Sequence, residues 1–429
     1  MENKRGLVLG GGGSRGSYEV GVCLALKELG YSFDVVTGVS IGALIGAIYV
    51  QDDVEVLEGW IQSFQQEKLS DNLFVYPNQY KTMSLHANGF DQFMEMFLKD
   101  GPNITGLQNQ YKAIFQYDKF KNSPIEFGTL SYNLNRNKLV AFTKEQMNAN
   151  NVIDMLFSST AYFPAYQFVK IDGEYYADGG YEQTLPVKLC VDLGAKDLVV
   201  VSLLEPDDPD PMIASEHCLI RPLLKLHSVL DFEGKDLTPQ MREGYLETLK
   251  YLNKAPGYLY TFYDEDWKYM LRLEKACLSY LVHDGQIGLL TKMDSMLEDV
   301  YKFFFHYVPY PMKNAYSEQY IIGRLLEIIG LICQIPLDRQ YHFKDFIRLI
   351  LMHLEHFNED PNKQPYPQIY DQMDIKGVQD FIVFFHSALI SFHGKLPPEF
   401  EGIKQKFYPM YLIANVWRMI SHFRTILDL

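Results

Sequence analysis

Residues 6–21 read "GLVLGGGGSRGSYEVG": a short apolar run, four consecutive glycines from Gly10 to Gly13, then Ser14, Arg15 and Gly16 opening a helical pattern. Glycine is costly in conformational entropy, so such a run is expected only where φ is positive or another group comes very close to the backbone. Strand, bare loop and helix in that order are the start of an α/β chain. Two kinds of group could approach the loop: the phosphate of a bound nucleotide, or a negative charge that develops during a reaction.

The alternation continues. "FDVVTGVS" (33–40) reads as a second buried strand and "IGALIGAIYV" (41–50) as a small-residue apolar helix able to pack closely on a sheet. "PIEFGTLSYNL" and "NKLVAFT" read as strands, "VIDMLFSSTAYF" as a helix, and "LGAKDLVVVSLL" as a helix end leading into a strand. "YQFVKIDGEYYADGG" predicts a hairpin turning at Asp172-Gly173, a dipeptide suited to a type I′ turn. The proline- and acid-rich "LEPDDPDPMIA" (204–214) then ends the pattern, and apolar residues repeat at three and four to Leu429. The expected organisation is an α/β domain over 1–210, with a mostly parallel sheet flanked by helices, and a mainly helical region over 211–429. The apolar and aromatic content of that second region is expected to be core. A lid, a membrane-docking surface and a dimer interface are the lesser readings, and the oligomeric state stays open.

Charge and cysteine content narrow the partners. A net charge of −15 argues against a nucleic-acid partner and against electrostatic attraction to an anionic bilayer, so a transient membrane-surface contact would rest on apolar surface. Five scattered cysteines without a CxxC suggest reduced thiols and a cytosol-like compartment. The sequence shows no signal-peptide pattern and no charge-free apolar run of the ~18 residues that a membrane span requires. "FIVFFHSALISFHG" reads as a buried core helix. A soluble, cytoplasmic protein is expected, with secretion by a signal-independent route left open.

Gly11-x-Gly13-x-x-Gly16 satisfies a dinucleotide-binding fingerprint in outline. Its second requirement is an acid at the end of the second strand. Asp34 begins that strand, and what ends it is "GVSIG", so a dinucleotide-dependent oxidoreductase is disfavoured. A nucleotide-binding Walker loop is excluded because no Lys-Ser/Thr pair follows the glycines. Gly38-Val39-Ser40-Ile41-Gly42 is a G-x-S-x-G placed between strand and helix, where a nucleophile elbow belongs. Side chains at Gly38 and Gly42 would collide in so tight a turn. An acyl-transfer serine also requires backbone N–H donors for the tetrahedral oxyanion, each commonly contributing about 2.7–4 kcal/mol. The neighbouring glycine loop can supply them, so the approaching charge is read as an oxyanion. Arg15 would either hold the loop or attract a phosphate head group.

Ser40 must give its proton to a base. His86, His217, His227 and His283 lack a catalytic context. The better candidate is Asp178 in "YYADGGYEQTLPV", an acid at the end of a hairpin strand followed by Gly179 and Gly180, although "ADGG" also suits a plain turn. A carboxylate with a pKa near 4 is a weak base, and burial against aromatic neighbours would strengthen it.

Taken in order, GGGxRG (Gly11 to Gly16), GxSxG (Gly38 to Gly42) and DGG (Asp178 to Gly180) resemble the patatin-like phospholipases, as does "SSTAYFPAYQFVKIDGEYYADGG" leading to the acid. The resemblance runs through residues 5–204. It implies a patatin-like three-layer fold and a Ser-Asp dyad with Ser40 as nucleophile and Asp178 as base, with no catalytic histidine, metal or cofactor. The amides around Gly11, Gly12 and Gly13 would form the oxyanion hole, and the substrate would be a phospholipid or another fatty-acyl ester. One departure stands out: many relatives carry Asn-Pro where this chain has Leu185-Pro186. The competing readings are a catalytically weak binding protein that keeps the fold, and a Ser-His-Asp esterase.

Overall fold

A computed structural model of the chain describes residues 3–63, 105–163, 165–211, 213–230, 236–283, 293–312, 314–316, 320–357 and 377–424. They divide into two compact units, Met1–Thr248 and Leu249–Leu429. In the first, β1 (Arg5–Leu9), β2 (Val35–Val39), β3 (Glu126–Asn133), β4 (Lys138–Thr143), β5 (Val169–Ile171), β6 (Glu174–Asp178), β7 (Asp197–Val201) and β8 (Cys218–Ile220) form one sheet. β3, β2, β1, β7 and β8 are neighbours and parallel throughout, while β4, β5 and β6 add antiparallel pairs. The hairpin turns as its sequence predicts, with φ of 49° at Asp172 and 84° at Gly173.

One pairing decides where the site lies. β4 occupies one edge of β3 from Gly128 to Asn133, so β2 and β6 must share the other edge. β2 ends with Val39 opposite Leu130, and β6 ends with Asp178 opposite Ser131, the next residue along. The end of β2 and the end of β6 therefore meet head-on.

The strands are apolar on both faces because helices cover both, as a parallel sheet requires. Following β1, α1 (Gly16–Glu28) leads to β2, and α2 (Ile41–Val50) follows β2. α2 lies on the face carrying Val36 and Phe127, where Gly46 keeps it close to the sheet. Helix Val187–Asp192 covers the other face, where Cys190 packs with Val8, Val35, Leu198 and Val200. Each such buried aliphatic side chain contributes about 1.5–3 kcal/mol relative to exposure. Leu185, at the departure from the family pattern, belongs to this cluster.

The first unit runs further than the 1–210 expected from composition. Cys218–Ile220 adds a parallel strand beside β7. The helix Thr238–Tyr251, which reaches the unit boundary, packs its Gly244 on the backbone of Tyr18. Both lie beyond the proline-rich segment, which the chain crosses without leaving the α/β core. Asp34 accepts the Arg5 amide at 2.8 Å and so closes the start of the sheet.

The second unit is mainly helical: Trp267–His283, Met293–Phe305, Ile321–Ile332, Phe343–His356, Val378–Ser391, Glu401–Lys406 and Tyr408–Phe423, with a two-stranded pair of Thr261–Phe262 and Gln340–Tyr341. The apolar run flagged in the sequence forms Val378–Ser391 and buries Ile382, Phe385 and Leu389 in the core. No helix among the described residues is long and apolar enough to cross a membrane. All five cysteines are free, and four are buried.

Candidate active site

Ser40 sits between the last residue of β2 and the first of α2 with φ 55° and ψ −128°. Backbone strain of this kind is costly for a non-glycine residue, about 1–3 kcal/mol, and persists only where the surroundings impose it. Here they do. A Cβ at Gly38 would overlap the Gly42 carbonyl, and one at Gly42 would lie 2.6 Å from the Gly10 carbonyl oxygen. The Ser40 amide donates to Ser159 Oγ at 2.9 Å, and Ser159 Oγ donates to the Leu130 carbonyl at 2.6 Å. Ser159 thus ties the elbow to β3. No spacing rule marks it in the sequence; it lies in "SSTAYF" without a signal of its own.

The shared edge of β3 delivers Asp178 to the same point. Ser40 Oγ donates to Asp178 Oδ2 at 2.6 Å, and the Gly180 amide donates to Oδ1, also at 2.6 Å. Gly179 is required because a Cβ there would run into the Leu130 carbonyl, and a Cβ at Gly180 would lie 2.9 Å from Asp178 Oδ1. Asp178 is only 2% exposed. Burial pushes its carboxyl up to about 6, against the opposing pull of the Ser40 and Gly180 hydrogen bonds. No histidine among the described residues lines the cavity at Ser40. His227 takes part nearby through its carbonyl, which accepts Arg15 Nε at 2.9 Å. His86 lies outside the described residues.

The glycine loop borders Ser40: a Cβ at Gly11 would come within 3.3 Å of Ser40 Cβ. Its amides are unevenly committed. Gly10 N–H donates to Glu19 Oε1 at 2.6 Å, Ser14 N–H to the Val229 carbonyl at 2.9 Å, and Arg15 N–H to the Gly12 carbonyl at 3.1 Å. Gly11 N–H donates to the Thr184 carbonyl at 3.0 Å, which corrects the expectation that all three glycine amides are available. Gly12 and Gly13 are left, and no protein acceptor among the described residues takes their N–H groups. Gly13 has φ 57°, and a Cβ there would overlap the Val229 carbonyl. Gly16 lets α1 approach α2, since a Cβ would lie 2.5 Å from Ile41 Cγ1.

Arg15 holds the loop. Its guanidinium donates to the Leu203 carbonyl at 3.2 Å and the His227 carbonyl at 2.9 Å, and pairs with Glu205. It clamps two segments over the glycine loop, giving three of its five N–H donors to protein acceptors.

These groups face a cavity of about 360 Å³, walled by Tyr162, Tyr166, Tyr181, Val229 and Leu230 as well as Ser40, Asp178 and the glycines. A hydroxyl hydrogen-bonded to a buried carboxylate, beside two unclaimed backbone donors, is equipped for nucleophilic acyl transfer. The cavity lies off the carboxyl ends of β1, β2 and β7, where β1 has a sequence neighbour on one side and β7 on the other. Open α/β sheets place their sites at such a reversal.

Relatives match just under half of the chain. The chain is 27% identical over 214 residues to Lysophospholipase NTE1 of Meyerozyma guilliermondii, covering 48% of this chain and 13% of that protein. It is 30% identical over 209 residues to Lysophospholipase nte1 of Aspergillus fumigatus, covering 48% and 12%. A patatin-like phospholipase domain-containing protein of Caenorhabditis elegans, ZK370.4, is 30% identical over 205 residues, covering 46% and 13%. The match therefore spans about an eighth of the length of these relatives. Among solved structures, VipD from Legionella pneumophila aligns over 98% of this chain and 91% of its own at 10% identity, with a TM-score of 0.32. The family model for patatin-like phospholipases matches residues 7–191, from β1 through both ends of the Ser40–Asp178 contact, and this region of the chain belongs to that family.

Proposed function

We propose that the protein is a serine lipid acyl hydrolase that cleaves fatty-acyl esters through an acyl-enzyme on Ser40. The observation that carries this reading is the 2.6 Å hydrogen bond from Ser40 Oγ to Asp178 Oδ2 at a strained elbow. Membership of the 7–191 region in the patatin-like phospholipases, and relatives named as lysophospholipases, support a lipid substrate.

Asp178 Oδ2 takes the proton as Ser40 Oγ attacks the acyl carbonyl, and the Gly12 and Gly13 amides receive the oxyanion. Collapse of the tetrahedral species returns that proton to the departing alcohol or lysolipid. Water then attacks the acyl-enzyme with Asp178 again as base, and Ser40 leaves with the proton. The N-terminus of α2 begins at Ile41, so its positive end lies beside the developing charge. Raised to about 6, Asp178 is a stronger base than an ordinary aspartate and is still mostly ionised at pH 7. The tyrosines, Val229 and Leu230 of the cavity supply the apolar wall that an acyl chain requires. Tyr162 and Tyr181, stacked at 5.3 Å and exposed by 39% and 51%, give the site amphipathic rings suited to a lipid surface.

Hydrolysis of p-nitrophenyl esters of several chain lengths by wild type, Ser40→Ala and Asp178→Asn tests the reading. Loss of activity in both folded variants supports it. An unchanged rate in Asp178→Asn with dependence on a histidine would favour a Ser-His-Asp esterase instead.

A further inference from the structure

Of the amides from Gly10 to Arg15, all but Gly12 and Gly13 are given to named acceptors. Three of those acceptors are carbonyls, one of them inside the loop itself. The remaining one is a side chain, Glu19 Oε1, which takes the Gly10 amide at 2.6 Å. Glu19 stands on the first turn of α1, the helix that starts directly after the loop, and it is 0% exposed. Its second oxygen, Oε2, is buried with no hydrogen-bond partner among the described residues. A buried polar atom left unsatisfied is unfavourable, and a leucine of similar volume would avoid that cost. What the carboxyl contributes in return is the bond to Gly10.

We propose that Glu19 is a positioning residue for the reaction: by holding the Gly10 amide it fixes the glycine loop so that the Gly12 and Gly13 amides stay turned to the oxyanion. This rests on the function proposed above. With Thr184 holding Gly11 and Val229 holding Ser14, the Glu19 bond pins the near end of the loop, where β1 runs out. Without it the residue linking β1 to Gly11 has no side-chain anchor, and the two donors shift relative to Ser40. Burial pushes the Glu19 acid well above the usual carboxylate range and favours the neutral form, so the anchor does not oppose the charge it helps to stabilise. A neutral acceptor is what the position requires.

The test compares Glu19→Gln, which keeps a carbonyl acceptor at the same reach, with Glu19→Leu, which keeps the volume and removes the acceptor. Each full-length variant is assayed on p-nitrophenyl butyrate for kcat and KM, with the melting temperature measured alongside. Glu19→Leu should lower kcat about 10- to 100-fold, the scale of an ångström-sized misplacement, with KM little changed. Glu19→Gln should recover most of the loss. A purely structural role would lower the melting temperature of Glu19→Leu and leave the kcat of the folded protein intact, which would overturn the proposal. Equal losses in Glu19→Gln and Glu19→Leu, or a loss confined to KM, would also overturn it. Should Glu19→Leu fail to fold, Glu19→Asp decides: it keeps the acid one methylene short of Gly10 and should lose kcat, and wild-type kcat there refutes the anchor. Ser40→Ala is the control. If it is inactive while the Glu19 variants are unaffected, only this inference fails; if it stays active, or wild type is inert, the function reading fails and the inference with it.

Discussion

Asp178 and Glu327 are both carboxyls removed from water, one in each unit, and burial raises both, to about 6 and about 7 respectively. Their partners differ. Glu327 accepts from the backbone amides of Tyr258, Leu259 and Tyr260, and Lys250 lies close enough to favour its charged form. Lys250 Nζ in turn donates to the Tyr258 and Leu259 carbonyls at 2.7 and 2.6 Å. Glu327 is a knot that ties a loop to helix Ile321–Ile332. Asp178 accepts from one amide and one serine hydroxyl, and it faces a cavity. A raised pKa is therefore not the mark of a site in this chain. The mark is a partner that can react, with space in front of it.

The largest test of that contrast is chemical. Ser40→Ala and Asp178→Asn should each lower kcat/KM for an acyl ester by about 10³-fold or more, as removal of a nucleophile or its base does elsewhere. Glu327→Gln should leave the rate of the folded protein unchanged. A rate loss in Glu327→Gln comparable to Asp178→Asn would erase the distinction.

Stability should divide the same two residues in the opposite sense. Glu327→Gln turns amide hydrogens toward the backbone N–H groups the carboxylate accepts from, and urea denaturation should show a loss of about 2–4 kcal/mol. Asp178→Asn should instead stabilise the protein at pH 8, by roughly 1–3 kcal/mol. The folded Asp178 carboxyl holds its proton more tightly than the unfolded one, so its contribution to stability is full below pH about 4 and is lost as pH rises through about 6. The gain from Asp178→Asn should accordingly shrink toward zero near pH 4. No gain at pH 8 would mean that burial of the charge at Asp178 is cheaper than the geometry implies.

The smallest effect is in the pH profile. With Asp178 acting as base, kcat/KM should fall about tenfold per pH unit below about 6, and a limb centred near 4 would indicate an unperturbed acid.

Much of the first unit was legible because its signals are local. The apolar run before Gly10, the β-branched "VVTGV" and the charge-free apolar "IGALIGAIYV" each name their own element, and the Asp172-Gly173 turn adopts the two positive φ values that its residues favour. Ser40 and Asp178 were legible as candidates for the same reason. Their meeting was not, since it depends on β2 and β6 sharing one edge of β3. The strand Cys218–Ile220 was hidden because three residues carry no periodicity and the prolines before it read as a linker. The commitments of the Gly11 amide to Thr184 and of Arg15 to Leu203, His227 and Glu205 are long-range contacts that no motif encodes. Glu19 and Ser159 carry no signal in the sequence, because a helix-borne acid and a loop serine are ordinary apart from their partners.

The most direct measurement is intact-protein mass spectrometry after treatment with a fluorophosphonate, followed by peptide mapping, for wild type, Ser40→Ala and Asp178→Asn. Wild type should gain one adduct, located on the peptide containing Ser40, with none in Ser40→Ala and much slower labelling in Asp178→Asn. An unlabelled wild type, or an adduct on any other residue, would contradict Ser40 as an activated nucleophile.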